Sequence, residues 1–126
     1  MNERSIRSLS LSTIALARQF GIRVTAEQVE EKISRGHISS KNDLEQTFKE
    51  QGIKLQYLKP ALRTLIERSY YFPCVATLKD GTSRILISCK VNEQNIAEFQ
   101  TIDPLDPTNK VVVENETEFK SSWNGA

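Results

Sequence analysis

Histidine, cysteine, charge excess and long apolar runs are all scarce in this chain, and each scarcity removes a class of function. His37 is the only histidine in 126 residues. A metal site needs several His, Cys, Asp or Glu neighbours at ligand spacing, and the chain offers no such group. Cys74 and Cys89 are the only cysteines. They are too few for a disulfide framework and lack CxxC spacing, so the chain suits a reducing compartment. The longest apolar runs are a few residues, far short of the roughly 20 that a membrane span needs. No apolar segment follows Met1-Asn2-Glu3-Arg4-Ser5, so nothing there marks the chain for export. Seventeen Lys+Arg stand against sixteen Asp+Glu, a formal charge of +1. Without a basic stripe to neutralise phosphates, nucleic acid is not an expected partner. The G-x-x-x-x-G-K, G-x-G-x-x-G and H-E-x-x-H motifs are missing too, so no nucleotide is expected to bind by a P-loop.

What is present reads as an ordinary soluble domain. Hydrophobic residues make up 38% and charged residues 26%, and the length fits one domain over 1–126. A chain this long buries about two-thirds of its unfolded surface, enough for a core without metals or disulfides.

The first third has helical periodicity. Ile6, Leu9, Thr13, Leu16 and Phe20 form one stripe, and Gly21 supplies a stop. Thr25 with Gln28 predicts a capping box opening a second helix that buries Val29 and Ile33 and closes at Gly36. Ser40 with Asp43 starts a third, with Leu44 and Phe48 one turn apart and Gly52 ending it. The period then changes. Ile53, Leu55 and Tyr57 alternate with polar residues and predict a strand. Pro60 predicts the first position of a short helix carrying Leu62, Leu65 and Ile66. Residues 72–78 and 83–91 are β-rich runs joined across Lys79-Asp80-Gly81-Thr82, a hairpin signal. Residues 98–102 and 110–113 predict two more strands, separated by Asp103-Pro104-Leu105-Asp106-Pro107. Asn115 with Glu118 predicts a last capped turn that sets Phe119 and Trp123 at i, i+4. Helices first and antiparallel strands afterwards is an α+β layout.

Few residues invite chemistry. His37 lies between two helices and reads as a solvent-exposed loop residue. Cys74 and Cys89 fall inside strand patterns, away from the helix N-termini or cations that activate thiols, and read as buried small hydrophobes. Asp103 and Asp106 each precede a proline, which is ordinary turn chemistry.

Taken in order, several segments resemble the bacteriocin-processing cysteine peptidases, which cleave after a double-glycine leader and are fused to ABC exporters. Leu16-Ala17-Arg18-Gln19-Phe20-Gly21-Ile22-Arg23-Val24-Thr25 resembles the end of that family's nucleophile helix and the turn after it. Gly52-Ile53-Lys54-Leu55-Gln56 is similar to its first strand. Tyr71-Phe72-Pro73-Cys74-Val75-Ala76 and Asp80-Gly81-Thr82-Ser83-Arg84-Ile85-Leu86 resemble the approach strand and the histidine hairpin. Thr101-Ile102-Asp103-Pro104 resembles the aspartate segment, and Phe119 with Trp123-Asn124-Gly125 the closing F…W-x-G. The resemblance implies a papain-like cysteine peptidase fold, with N-terminal helices packed on an antiparallel β-sheet.

It also implies a dead site. By the family's spacing the nucleophile position falls on Ser8, followed by Leu9 in place of glycine. The histidine position falls on Ser83, and the aspartate position on Asp103. A papain-like mechanism needs a thiolate, an imidazole and a group orienting that base; of these only Asp103 keeps its identity. Degenerate domains of this kind resemble the peptidase-like domains heading type I exporters of RTX toxins and large adhesins in Gram-negative bacteria. The implied role is docking of an unfolded secretion substrate at the cytoplasmic face of the inner membrane. Transmembrane and nucleotide-binding domains of the same transporter are the implied partners. No cofactor is expected in this domain, and ATP belongs to the full-length transporter. Gly125-Ala126 falls where the family continues into a linker, so an excised domain is expected, with no membrane insertion by this segment itself.

Two rivals stand beside that expectation: an active leader-processing peptidase with an unexpected nucleophile, and a stand-alone interaction domain unrelated to secretion. Tyr70 and Tyr71, between a short helix and a strand, are candidates for the substrate-binding surface. The alternative is that one packs inward and the other has no role.

Overall fold

Serine gives the first helix its character. A computed structural model describes residues 3–22, 26–68 and 72–126. Helix α1 (Glu3–Gln19) buries Ile6, Leu9, Ile14 and Ala17 as its periodicity requires, but it also buries Ser5, Ser8, Ser10, Ser12 and Thr13. Burial on so many sides means that it is sandwiched between layers. It packs against helix α2 (Ala26–Ser34) and against strands β1 (Cys74–Thr77) and β2 (Ser83–Val91). Small side chains let it approach closely. Where β1 turns into β2, a Cβ on Gly81 would lie 2.5 Å from Ser5 Oγ, and the backbone there has φ +89. The expected stripe holds at Ile6, Leu9 and Thr13, whereas Phe20 is 64% exposed. The helix has ended at Gln19, and the turn at Gly21 carries Phe20 off the stripe.

The next helices follow their sequence signals. Helix α2 buries Val29 and Ile33; Thr25, expected to open it, lies outside the described residues. Helix α3 (Lys41–Glu50) is capped by the Ser40 side chain, which accepts the Asp43 N–H at 3.2 Å. Asp43 in turn accepts the Ser39 N–H, which holds its carboxyl below the usual range. Leu44 and Phe48 join Ile6 and Leu9 in one apolar cluster. The strand expected at Ile53, Leu55 and Tyr57 does not form: residues 53–61 have no ladder partner. The alternation still has a cause, because Ile53 and Leu55 pack on the α1 cluster while Lys54 and Gln56 face water. Helix α4 (Leu62–Glu67) begins after an Ala61 N-cap, so Pro60 precedes the cap and is not the first helical residue.

Strands β1, β2, β3 (Ala97–Ile102) and β4 (Val112–Asn115) form a four-stranded antiparallel sheet in that order. Strand β4 starts two residues later than the expected Lys110. Two Asp-led turns in series consume the chain before it: Asp103 accepts the Leu105 N–H and Asp106 accepts the Thr108 N–H, each at 2.9 Å. The Thr108 N–H and hydroxyl also hold the Asp106 carboxyl below its ordinary range. Helix α5 (Glu116–Ser122) carries both halves of the capping box between Asn115 and Glu118. It stacks Phe119 on Phe99 at 4.3 Å and on Trp123 at 5.3 Å between ring centroids. Alternate residues of β1 therefore serve two cores: Val75 packs toward the α1 cluster, while Cys74 and Ala76 pack with Leu65, Leu86 and Phe119. Cys74 and Cys89, expected to be buried, are partly so, because each lies at the margin of this second cluster. The result is an α+β arrangement with helices on both faces of the sheet.

The close approach at the hairpin yields a direct expectation. Gly81→Ala forces a non-glycine residue into positive φ and pushes its Cβ against Ser5. It should cost about 2 kcal/mol of stability, read as a lower urea midpoint with an unchanged slope. An unchanged midpoint would contradict this packing of α1 on the hairpin.

Candidate functional site

The sheet runs out of strands beside Ser83. Strand β3 ends at Ile102, which pairs with Ile85, while β2 continues two residues further, to Ser83. On its other side Ser83 pairs with Thr77. Its backbone polar groups would face away from β1 with nothing to meet. Ser8 meets them. The Ser83 N–H donates to Ser8 Oγ at 2.7 Å, and the Ser8 hydroxyl donates to the Ser83 carbonyl at 3.3 Å. One side chain thus does what the missing strand would do. Ser8 is 0% exposed and Ser83 1%, and the Ser83 hydroxyl itself is buried with no partner among the described residues.

Asp103 takes no part in this pairing. It is the first residue after β3, and its carboxylate accepts the Leu105 N–H. Continuing the ladder one step from Ile85 and Ile102 sets Asp103 opposite Arg84 rather than Ser83. The fold thus joins Ser8 to Ser83 and keeps Asp103 in its own turn. Tyr70 and Tyr71 lie outside the described residues.

No described group is poised to activate a nucleophile here. His37 is exposed in the link between α2 and α3. Burial pushes the Cys74 thiol up to about 11. Burial, aided by the Glu116 carboxylate, raises the Cys89 thiol as well. Both stay protonated near neutral pH, the opposite of the depressed thiol that catalysis needs. Among the described residues no group of three His, Cys, Asp or Glu could hold a metal ion.

Next to Ser8 the surface opens into a groove of about 270 Å³. Leu9, Thr13 and Leu16 of α1 form one wall, and Leu55, Tyr57 and Leu58 the facing one. Residues 73–77, the outer edge of the sheet, run along it to Trp123. Among the described residues Lys41 and Lys54 are the only charged side chains in the lining. The Lys41 ammonium lies 5.6 Å from the centre of the Tyr57 ring. Desolvation and the nearby Glu45 carboxylate raise the Tyr57 phenol.

The C-terminal residues cover part of the β1 edge. Asn124 N–H donates to the Thr77 carbonyl at 3.1 Å, and Thr77 N–H to the Ala126 carbonyl at 2.9 Å. The Trp123 indole N–H donates to that same carbonyl. Sequence reasoning missed this groove because its walls come from four separated stretches of chain. The sequence matches no protein-family profile and no curated protein.

Opposite effects are expected at the two serines. Ser8→Ala leaves a buried N–H and C=O unpaired and should cost about 1–3 kcal/mol. Ser83→Ala removes a hydroxyl that has no partner and should be neutral or slightly stabilising. Urea unfolding of both variants checks this; equal losses would contradict the pairing.

The thiols carry a second expectation. With Cys74 near 11, its alkylation at pH 8 should run roughly a hundredfold slower in the folded than in the unfolded chain. The rate should climb as pH rises through that value and thiolate forms. Fast native-state labelling at pH 8 would contradict the burial described.

Proposed function

We propose that this chain is a non-catalytic, peptidase-like domain that docks unfolded polypeptide, the role of the domains heading type I secretion exporters. In this reading the fold is the papain-like one, and Ser8 and Ser83 stand where a nucleophile and its base once stood. The observation that carries it is the Ser8–Ser83 pair. Two segments 75 residues apart, singled out by family spacing alone, lie in hydrogen-bond contact. Their chemistry is spent on holding backbone: Ser8 Oγ both accepts and donates there, with no base beside it. What remains usable is the apolar groove alongside.

A groove of this size and lining suits extended chain rather than a folded surface. Docking of disordered chain loses conformational entropy, so affinity is modest, on the order of micromolar. The exported partner is an unfolded substrate of the RTX or adhesin class. Transmembrane and nucleotide-binding domains, and the ATP they use, belong to the rest of the transporter on the cytoplasmic side of the inner membrane. The rival of an active leader-processing peptidase requires an activated serine, and the surroundings of Ser8 do not supply one. Restoring Cys at 8 and His at 83 would still leave Leu9 beside the nucleophile, where the family has glycine.

Calcium provides the test, because glycine-rich repeats of RTX type fold on binding it. NMR titration of the labelled domain should show binding to the calcium-free repeat polypeptide, loss of binding once calcium folds it, and no cleavage in either state. Equal binding to both forms would contradict docking of unfolded chain. Cleavage abolished by Ser8→Ala would contradict the non-catalytic role.

A further inference from the structure

We propose that the guest chain adds to the free outer edge of β1 as a short extra strand, paired to the backbone of Val75, and that it carries alternating apolar and acidic residues. This rests on the docking function above and specifies where, in what register and with what charge the chain docks.

The register follows from strand alternation. Leu78 N–H bonds the Thr82 carbonyl, so Leu78 points its backbone groups toward β2. Thr77 points its own outward, to Asn124 and Ala126. Backbone direction repeats every two residues along a strand. Val75 therefore presents its N–H and C=O outward as Thr77 does. Among the described residues nothing on that side bonds them. Beyond Thr77 the edge is closed by residues 122–126. The open stretch lies beside the groove between α1 and residues 54–58.

An unpaired edge bordering an apolar groove is the arrangement used in strand addition: backbone bonds supply affinity and alternate side chains fill the groove. A space of about 270 Å³ takes a few side chains and no folded element. The charge of the guest follows from the rim. Among the described residues Lys41 and Lys54 are the only charged side chains lining the groove, and neither makes an ion pair there. Glu45, which acts on the Tyr57 phenol, is not part of the lining. Acidic side chains alternating with apolar ones would set charge toward the lysines and apolar groups into the groove. At the other sheet edge Val113 of β4 and Val111 just before it are exposed, but neither lines this groove.

The test uses the full 126-residue chain and two synthetic ten-residue peptides, one alternating Val with Asp and one alternating Val with Lys. The Val-Asp peptide should bind, shifting amide signals at Val75 and Leu55, and the Val-Lys peptide should not. Val75→Pro removes the outward N–H, which edge strands tolerate, together with the valine packing on the α1 cluster, and in a variant that still folds it should weaken binding about tenfold. Lys41→Glu combined with Lys54→Glu should reverse the preference between peptides. That reversal decides the matter if Val75→Pro does not fold. Undiminished binding by a folded Val75→Pro, or shifts centred on Val111 and Val113, would overturn the proposal. If calcium-free repeat polypeptide still binds that folded variant as well as the parent, the β1 edge is wrong while docking stands. If no unfolded chain binds the parent, both fall.

Discussion

The Ser8 hydroxyl, bonded to both backbone groups of Ser83, is the contact on which the rest of the arrangement depends. A buried N–H or C=O left unpaired costs about 1–3 kcal/mol, and Ser83 exposes both groups just where β3 has ended. A small hydroxyl on a neighbouring helix satisfies them only if that helix comes close. Serine at 5, 8 and 12 lets α1 do so, and the absence of a side chain on Gly81 leaves room for Ser5. Larger residues at these places would lift the helix off the sheet and leave the Ser83 backbone bare.

With α1 fixed there, the groove follows as a consequence. The helix runs on from Ser8 through Leu9, Thr13 and Leu16 alongside the outer edge of β1. The extended run 53–58 lies opposite and closes the second wall, with Ile53 and Leu55 packed on the α1 cluster, and with Lys54, Tyr57 and Leu58 exposed. The stacked Phe99, Phe119 and Trp123 stiffen the opposite face of the sheet. Trp123 also anchors the C-terminal residues that cover Thr77. One end of the edge is thereby closed and the other stays open.

Much of the fold was legible in the sequence, for physical reasons. Strong local signals produced their elements: the Ser40 cap, the Asn115–Glu118 capping box, and the hairpin across Asp80-Gly81 all appear where local chemistry demands. Readings that depended on partners fared worse. The run at Ile53 alternates like a strand, yet no second strand comes to pair with it, and alternation alone cannot show that. Strand β4 starts two residues late because the second Asp-led turn runs on through Thr108 and Asn109, and neither Asp-Pro signal shows how far its turn extends. Burial of serine on α1 was invisible to a hydrophobic stripe, which counts Ile6 and Leu9 and passes over Ser8. The meeting of Ser8 with Ser83 has no local signature, since nothing in either segment points to the other. The groove is assembled from distant pieces and had no local signature.

Ser8 holds the Ser83 backbone in place, and amide hydrogen exchange at Ser83 tests that most directly. Ser83 has no strand on the β3 side to protect its N–H; only the Ser8 hydroxyl does so. Exchange should be close to that at Ile85, which sits in the β2–β3 ladder, because both amides are buried in a core that opens as one cooperative unit. Exchange at Ser83 as fast as at the Asn95 turn would mean that Ser8 does not hold it, and the structural role assigned to the pair would be wrong.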